Sequence, residues 1–279
     1  MANDTTLKLG RAGQAPGART RVRGVLRGVW RDPWFIVLLL LAVPALYLRV
    51  SGTTPVAVER LWYWWPALMR GLGMNVQISL LAMAMGTLLG LVVGAISLSP
   101  LAPLRASTRA YVLVFRNAPI LVLVYFTTYV FPFEVPVAHW VLPFPDWIKV
   151  VIGLALPASA NVAEIFRGAV QSIPAAQWEA AHSLGFARTQ IFRTVILPQC
   201  LRRMLPPWMN LYASITMSTA LASLVGVHDL VDTATVASNT VARTDFTILI
   251  YFTLLALFFA YCYPISRLTR YLERRHARH

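Results

Sequence analysis

Six stretches of the chain, at about 33 to 50, 76 to 98, 111 to 131, 147 to 165, 206 to 228 and 247 to 266, carry few charges and approach the length of a bilayer-spanning helix. Crossing the hydrocarbon core takes roughly 20 apolar residues, because a helix satisfies its backbone hydrogen bonds internally where no water is available. Only 13% of the 279 residues are charged against 57% hydrophobic, too few charges to coat a soluble surface. These features predict an all-α integral membrane protein with about six transmembrane helices.

The chain is basic, with 25 Lys and Arg against 11 Asp and Glu, and the position of the charges gives their meaning. Lys8, Arg11, Arg19, Arg21, Arg23, Arg27 and Arg31 precede the first apolar run, and Arg267, Arg270, Arg274, Arg275 and Arg278 follow the last. Both ends are therefore expected in the cytoplasm, as basic tails over 1–32 and 267–279. The loops agree. Arg105 and Arg109, then Arg167, Arg188, Arg193, Arg202 and Arg203, fall on predicted inner loops, whereas Glu59, Glu134, Asp146, Asp229, Asp232 and Asp245 fall on outer ones. No aromatic residues interleave the basic tails for base stacking, so nucleic acid is not an expected partner. Span 33–50 reads as uncleaved, because the basic region before it is long and no clear small-x-small site follows Leu48.

Aromatic residues gather where headgroups are expected, at Trp30 and Trp34, at Trp62 to Trp65, and at Trp140 and Trp147. The stretch 59–70 reads as an interfacial segment within an outer region 51–75, or as a loop packed on protein. Gly86, Gly90 and Gly94, with Ala82 one turn earlier, put small residues on one helix face, which permits close helix approach. The approaching helix belongs to this chain or to a second subunit.

The inner segment 172–198, SIPAAQWEAAHSLGFARTQIFRTVILP, is too long and patterned for a simple connector. Ser172 is a plausible helix N-cap, Pro174 fits the first turn, Glu179 falls early, Gly185 stops the helix, and a second amphipathic stretch ends at Pro198. Such a helix either lies on the membrane surface or inserts its turn into a groove on a soluble partner.

Catalysis is not expected. Neither of the two lysines, Lys8 and Lys149, follows a phosphate-binding glycine loop; the histidines lack ligand spacing; and Cys200 and Cys262 suggest neither disulfide nor metal. The polar residues at membrane depth are Arg116, Asn117, Asn161, Glu164 and Arg167. An ionisable group at the bilayer centre costs about 2.5–3.5 kcal/mol on insertion scales. Arg116 can snorkel, and Glu164 can pair with Arg167 along one helix. Alternatively Asn161, Glu164, Ser218 and Thr219 line a polar path for a solute.

The run Glu179, Ala180, Ala181, then Gly185, then Val195, Leu197 and Pro198 resembles the EAA loop of ABC importer permeases, with Val195 where isoleucine is usual. The resemblance spans about Val76 to Thr240 and points to the polar amino acid uptake branch, through YVLVFRNAPILVLVYF at 111–126, AEIFRGAVQSIP at 163–174, QWEAAHSLGF at 177–186, VILPQ at 195–199 and LVGVHDL at 224–230. There are departures: Ala176 replaces a glycine, Asn161 a tyrosine, and Met217 to Leu221 the Lys-Asp-Thr-Ser-Leu signature.

The resemblance implies a type I importer permease fold over 76–266, with 33–50 as an extra first helix. Residues 172–198 would be the loop that couples to a separate ATPase through Glu179, Ala180, Ala181, Gly185, Leu197 and Pro198. It further implies a dimer of ATP-binding subunits that holds ATP and Mg, a second permease chain, an external solute-binding protein and a small polar solute such as an amino acid. The expected location is the bacterial inner membrane. A carrier driven by an ion gradient, with Glu164 as ion ligand, and a membrane scaffold that recruits a partner are the alternatives.

Overall fold

A computed structural model describes residues 42–47, 49, 50, 52, 54–137 and 140–276; the expected first span and the basic N-terminal tail lie largely outside these. Helix α1, Thr54–Ser97, runs unbroken for 44 residues through Pro66. At 1.5 Å per residue it reaches about 66 Å, roughly twice the thickness of a hydrocarbon core. The stretch 59–70 is therefore neither a separate interfacial segment nor a loop; it continues the second span. Leu68 on it is buried against Leu230, Ala234, Ala237, Phe246 and Ile250, while Trp62 and Tyr63 remain more than three-quarters exposed.

The expected third span, 111 to 131, is not one helix. Helices α2, Ala102–Asn117, and α3, Ile120–Val130, meet at 102°. Pro119 explains the corner, since its ring drives the preceding residue out of the helical region, and Ala118 is extended at φ −71° and ψ 134°. A short antiparallel hairpin follows, β1 Glu134–Val137 with β2 Trp140–Pro143, pairing Glu134 with Pro143.

Helix α4 is Asp146–Gln171 and α5 is Ala175–Ser183. Helix α6 is composite: an opening turn Arg188–Gln190, a π-helical stretch Ile191–Ile196, an α-helical body Leu197–Ser218 and a 3-10 continuation Thr219–Val225. It does not end at Pro198. Leu197 N–H reaches back five residues to the Phe192 carbonyl, the wide π turn that keeps the Pro198 ring clear of the Thr194 carbonyl. Helix α6 breaks at Gly226, whose φ of +82° suits glycine, and meets α7, Leu230–Val241, at 47°. Helix α8 is Thr244–His276.

Among the described residues α1, α4 and α8 are long and apolar enough to cross a membrane, and the two bent pairs, α2 with α3 and α6 with α7, are each apolar enough to count as one broken span or a re-entrant loop. That gives up to five, one for each expected span after the first. In its most apolar stretch α4 is 67% buried within the protein and α8 only 17%, which makes α4 the central helix and leaves most of α8 uncovered by the described residues.

The small residues of α1 find their partner in this chain. A Cβ on Gly86 would lie 2.7 Å from the Ala158 Cβ, one on Gly90 2.6 Å from the Ser159 carbonyl oxygen and from Val162 Cβ, and one on Gly94 2.9 Å from the Phe166 ring. All four neighbours belong to α4. Around this seam the main core forms from Ile78, Ala82, Leu154, Ala158, Val162 and Ile215.

Two polar assemblies lock the frame, and neither was foreseen from sequence. Asn75 on α1, fully buried, donates from Nδ2 to Thr219 Oγ1 at 3.1 Å and to Asp229 Oδ2 at 3.0 Å, and its Oδ1 accepts the Leu230 N–H at 3.0 Å. Replacing Asn75 with leucine leaves buried partners unpaired, each costing about 1–3 kcal/mol. The expected result is a clear drop in the melting temperature of the purified chain, read by tryptophan fluorescence; an unchanged melt would refute this role. Lys149, also fully buried, pairs with Asp146 at 3.0 Å, donates to the Thr128 carbonyl and sits 3.8 Å from the centre of the Phe133 ring.

Candidate functional site

Helix α5 projects as a short step between α4 and α6. Pro174 stands just before it, and Ala175 opens it. Ser172 does not cap it: Ser172 ends α4, donating its hydroxyl to the Ala169 carbonyl and accepting Nη1 of Arg203 at its own carbonyl (2.8 Å) and hydroxyl (2.9 Å). Glu179 sits mid-helix and exposed, the fifth residue of a helix that starts two residues later than a Ser172 cap implies.

The exit from α5 follows a defined pattern. Phe186 N–H returns to the Ala181 carbonyl at 3.3 Å and Gly185 N–H to the His182 carbonyl at 2.9 Å, with Gly185 at φ +80°. This is a Schellman closure, in which glycine takes the left-handed position without a Cβ penalty. A Cβ there would meet nothing within 4 Å, so the demand on Gly185 is purely conformational in this chain. The closed turn leaves Leu184 76% and Phe186 40% exposed, two apolar side chains at its tip.

The step is anchored from below. Ala181 is buried with Phe166, Ala169, Ile173, Ile191, Ile196, Cys200 and Met204. Small residues at this place let α5 lie close on the ends of α4 and α6. Gln177 on α5 and Gln199 on α6 hydrogen-bond, and Gln199 also donates to the Val195 carbonyl at 3.0 Å. Of the residues expected to couple, Ala181 faces the protein, Glu179, Ala180, Gly185 and Pro198 are exposed, and Leu197 is half-buried.

The polar residues of α4 separate. Glu164 binds Arg167 through two hydrogen bonds, at 2.7 and 3.1 Å, and lies 3.8 Å from Arg116 of α2; Arg167 continues to Gln171. Glu164 also lines a cavity of about 490 Å³ bounded by the end of α1, by α2 and by α4. Asn161, one turn away, is half-buried and donates to the Pro157 carbonyl at 2.8 Å. Ser218 donates to the Ser214 carbonyl, and Thr219 is fully buried with its hydroxyl shared between Asn75 and the Thr216 carbonyl. The geometry thus assigns Thr219 to the Asn75 lock rather than to an open path, whereas Glu164 does face open space.

Comparison with known proteins gives consistent matches. The family described as "Binding-protein-dependent transport system inner membrane component" matches residues 86–278. A probable amino-acid ABC transporter permease protein, YckA of Bacillus subtilis (strain 168), is 31% identical over 225 residues, 80% of this chain and 93% of the relative. The L-cystine transport system permease protein TcyB of the same organism is 32% identical, covering 76% of this chain and 87% of TcyB. The octopine transport system permease protein OccM of Rhizobium radiobacter is 30% identical, also over 76% and 87%. Among solved structures, the crystal structure of an amino acid ABC transporter with histidines superposes with a TM-score of 0.67 at 28% identity, covering 77% of this chain and 96% of that one. The methionine ABC transporter MetNI, inward facing, shares the fold at a TM-score of 0.53 and 18% identity, over 74% of this chain and 95% of its own.

Proposed function

This chain belongs to the family of binding-protein-dependent transport system inner membrane components, and from that membership we propose that it is the permease of an ATP-driven importer for amino acids or similar small polar solutes. The relatives transport cystine or octopine by name, or amino acids in general, which supports that solute class. The single observation that carries the coupling role is the Schellman-closed step of α5. It is seated on the frame through Ala181, and it presents Leu184, Phe186 and Glu179 to a partner.

In this reading ATP and Mg are held by a separate pair of ATP-binding subunits, and the permease itself performs no catalysis. Closure of the ATPase pair pushes on α5, and Ala181 and the Gln177–Gln199 contact carry the displacement into α4 and α6. A second permease chain completes the path, and an external binding protein delivers the solute. Asn161, Glu164 and Ser218 are the polar groups proposed along the path; an amino acid carries both signs of charge, so such a path needs donors and acceptors with little net charge. In the same reading the chain sits in the bacterial inner membrane with both termini in the cytoplasm, as the basic residues at its two ends support, and 33–50 is proposed as an additional first span.

Co-purification from membranes of the native host tests the assignment. An ATP-binding protein eluting with the chain, identified by mass spectrometry, together with ATP-dependent uptake of a labelled polar amino acid, is the expected result. A chain that purifies alone and moves solute down an ion gradient would instead be a secondary transporter.

A further inference from the structure

We propose that the cavity of about 490 Å³ between the end of α1, α2 and α4 is a headgroup site for an anionic phospholipid. Four guanidinium-bearing residues line it, Arg105, Arg109, Arg167 and Arg188, against one carboxylate, Glu164. That carboxylate is already spent: it takes two hydrogen bonds from Arg167 and lies 3.8 Å from Arg116. Arg105 is held in place by the carbonyls of Ser99 and Pro100, at 3.2 and 3.0 Å, neutral acceptors that fix the guanidinium without neutralising it. Arg109 and Arg188 make no ion pair among the described residues.

Three uncompensated positive charges thus converge from two elements, Arg105 and Arg109 one turn apart on α2 and Arg188 at the opening of α6. Like charges gathered in one concavity repel, and a bound anion relieves that repulsion. The planar guanidinium fork matches phosphate oxygens in pairs, which names the chemistry. The hydroxyl-bearing Ser97 and Ser99 on the same wall add neutral polar groups.

Lipid, rather than a soluble phosphate, follows from the surroundings. Leu101, just before helix α2, is 58% exposed, and α2 itself exposes Leu104 (42%), Leu113 (67%) and Val114 (58%), apolar side chains available to acyl chains. Basic pockets between membrane helices at the cytoplasmic face hold anionic headgroups by this division of labour. Arg188 follows Gly185 by three residues, so a bound headgroup ties α2 to the foot of the α5 turn.

Native mass spectrometry of the full chain, with whatever subunits it retains in neutral detergent, tests the site with phosphatidylglycerol as probe and phosphatidylcholine as its uncharged-headgroup comparison. The double variant Arg109→Ala, Arg188→Ala is expected to weaken phosphatidylglycerol binding at least tenfold and leave phosphatidylcholine unaffected. The double variant Arg267→Ala, Arg270→Ala, on α8 away from the cavity, is expected to bind as the parent does. Should the alanine pair misfold, Arg109→Lys with Arg188→Lys keeps the charge, removes the fork and is expected to bind with intermediate strength. Equal binding by parent and cavity variants overturns the site. Inorganic phosphate that displaces the lipid completely at equal concentration overturns the lipid assignment in favour of a soluble anion.

Discussion

A chain carrying Gly90→Leu is expected to yield no monodisperse folded protein in detergent, while Gly73→Ala in the same helix purifies like the parent. At Gly90 the first added carbon already falls 2.6 Å from the Ser159 carbonyl oxygen and 2.6 Å from Val162 Cβ. One of these is backbone of α4 and cannot rotate away, so the helices must part. Inserting methylenes into a packed core costs about 1–3 kcal/mol when neighbours can adjust, and here the neighbour is a main-chain atom in the most buried helix of the fold. Parting α1 from α4 also opens the contacts at Gly86 and Gly94, so the damage spreads along the seam. Gly73 meets nothing within 4 Å and serves as the internal control. Gly90→Ala should fall between the two in thermal stability. Fluorescence-detected size-exclusion chromatography reads all three, and a monodisperse Gly90→Leu peak with the parent's melting temperature would show that the seam is not required.

The second large effect is functional. Gly185→Asp is expected to abolish ATP-dependent uptake and the recovery of the ATPase on purification, with membrane insertion as in the parent and only a modest loss of thermal stability. The left-handed backbone at φ +80° costs a residue with a side chain about 1–3 kcal/mol of local strain. Because the added Cβ meets nothing, the frame does not have to move. The loss comes at the exposed tip, where a carboxylate is set between Leu184 and Phe186 on the surface proposed to enter a partner's groove. Asparagine tolerates the left-handed region better than most residues, so Gly185→Asn should restore part of the uptake by keeping the turn without the charge. Uptake at parental rate in the aspartate variant would remove the coupling role from this turn.

The spans after the first were legible because hydropathy over about 20 residues is a strong signal and the glycine spacing already marked a close-packed face. What sequence left open was the identity of the opposing helix. Periodicity places residues on a face but says nothing of what covers it, and the structure supplies α4. Proline misled in both directions. Pro198 reads as the end of an amphipathic stretch, yet α6 accommodates it with a π turn, just as α1 runs through Pro66. Pro119, inside an apolar run, received no weight, although its effect on Ala118 is what turns α2 into α3.

Asn75 escaped notice because a lone amide at the start of a span has no pattern; its partners are 144 to 155 residues away in sequence. The EAA-like turn was legible to the residue at Gly185, whose left-handed conformation is what a stop signal of that kind implies. The start of α5 was not, since Ser172 and Pro174 fit a cap on paper while Arg203, far along the chain, claims Ser172 for α4.

The glycine seam also fixes where this machine can have its joints. With backbone pressed against backbone at Gly86, Gly90 and Gly94, α1 and α4 have no slack to slide or hinge past one another and so behave as a single girder through the bilayer. A swing that opens the path first to one side and then to the other is then expected where the chain turns rather than along this seam, as at the 102° corner after Ala118 and the 47° corner at Gly226 to Asp229. Crosslinking α1 to α4 would then leave transport running, and a crosslink across either corner would stall it.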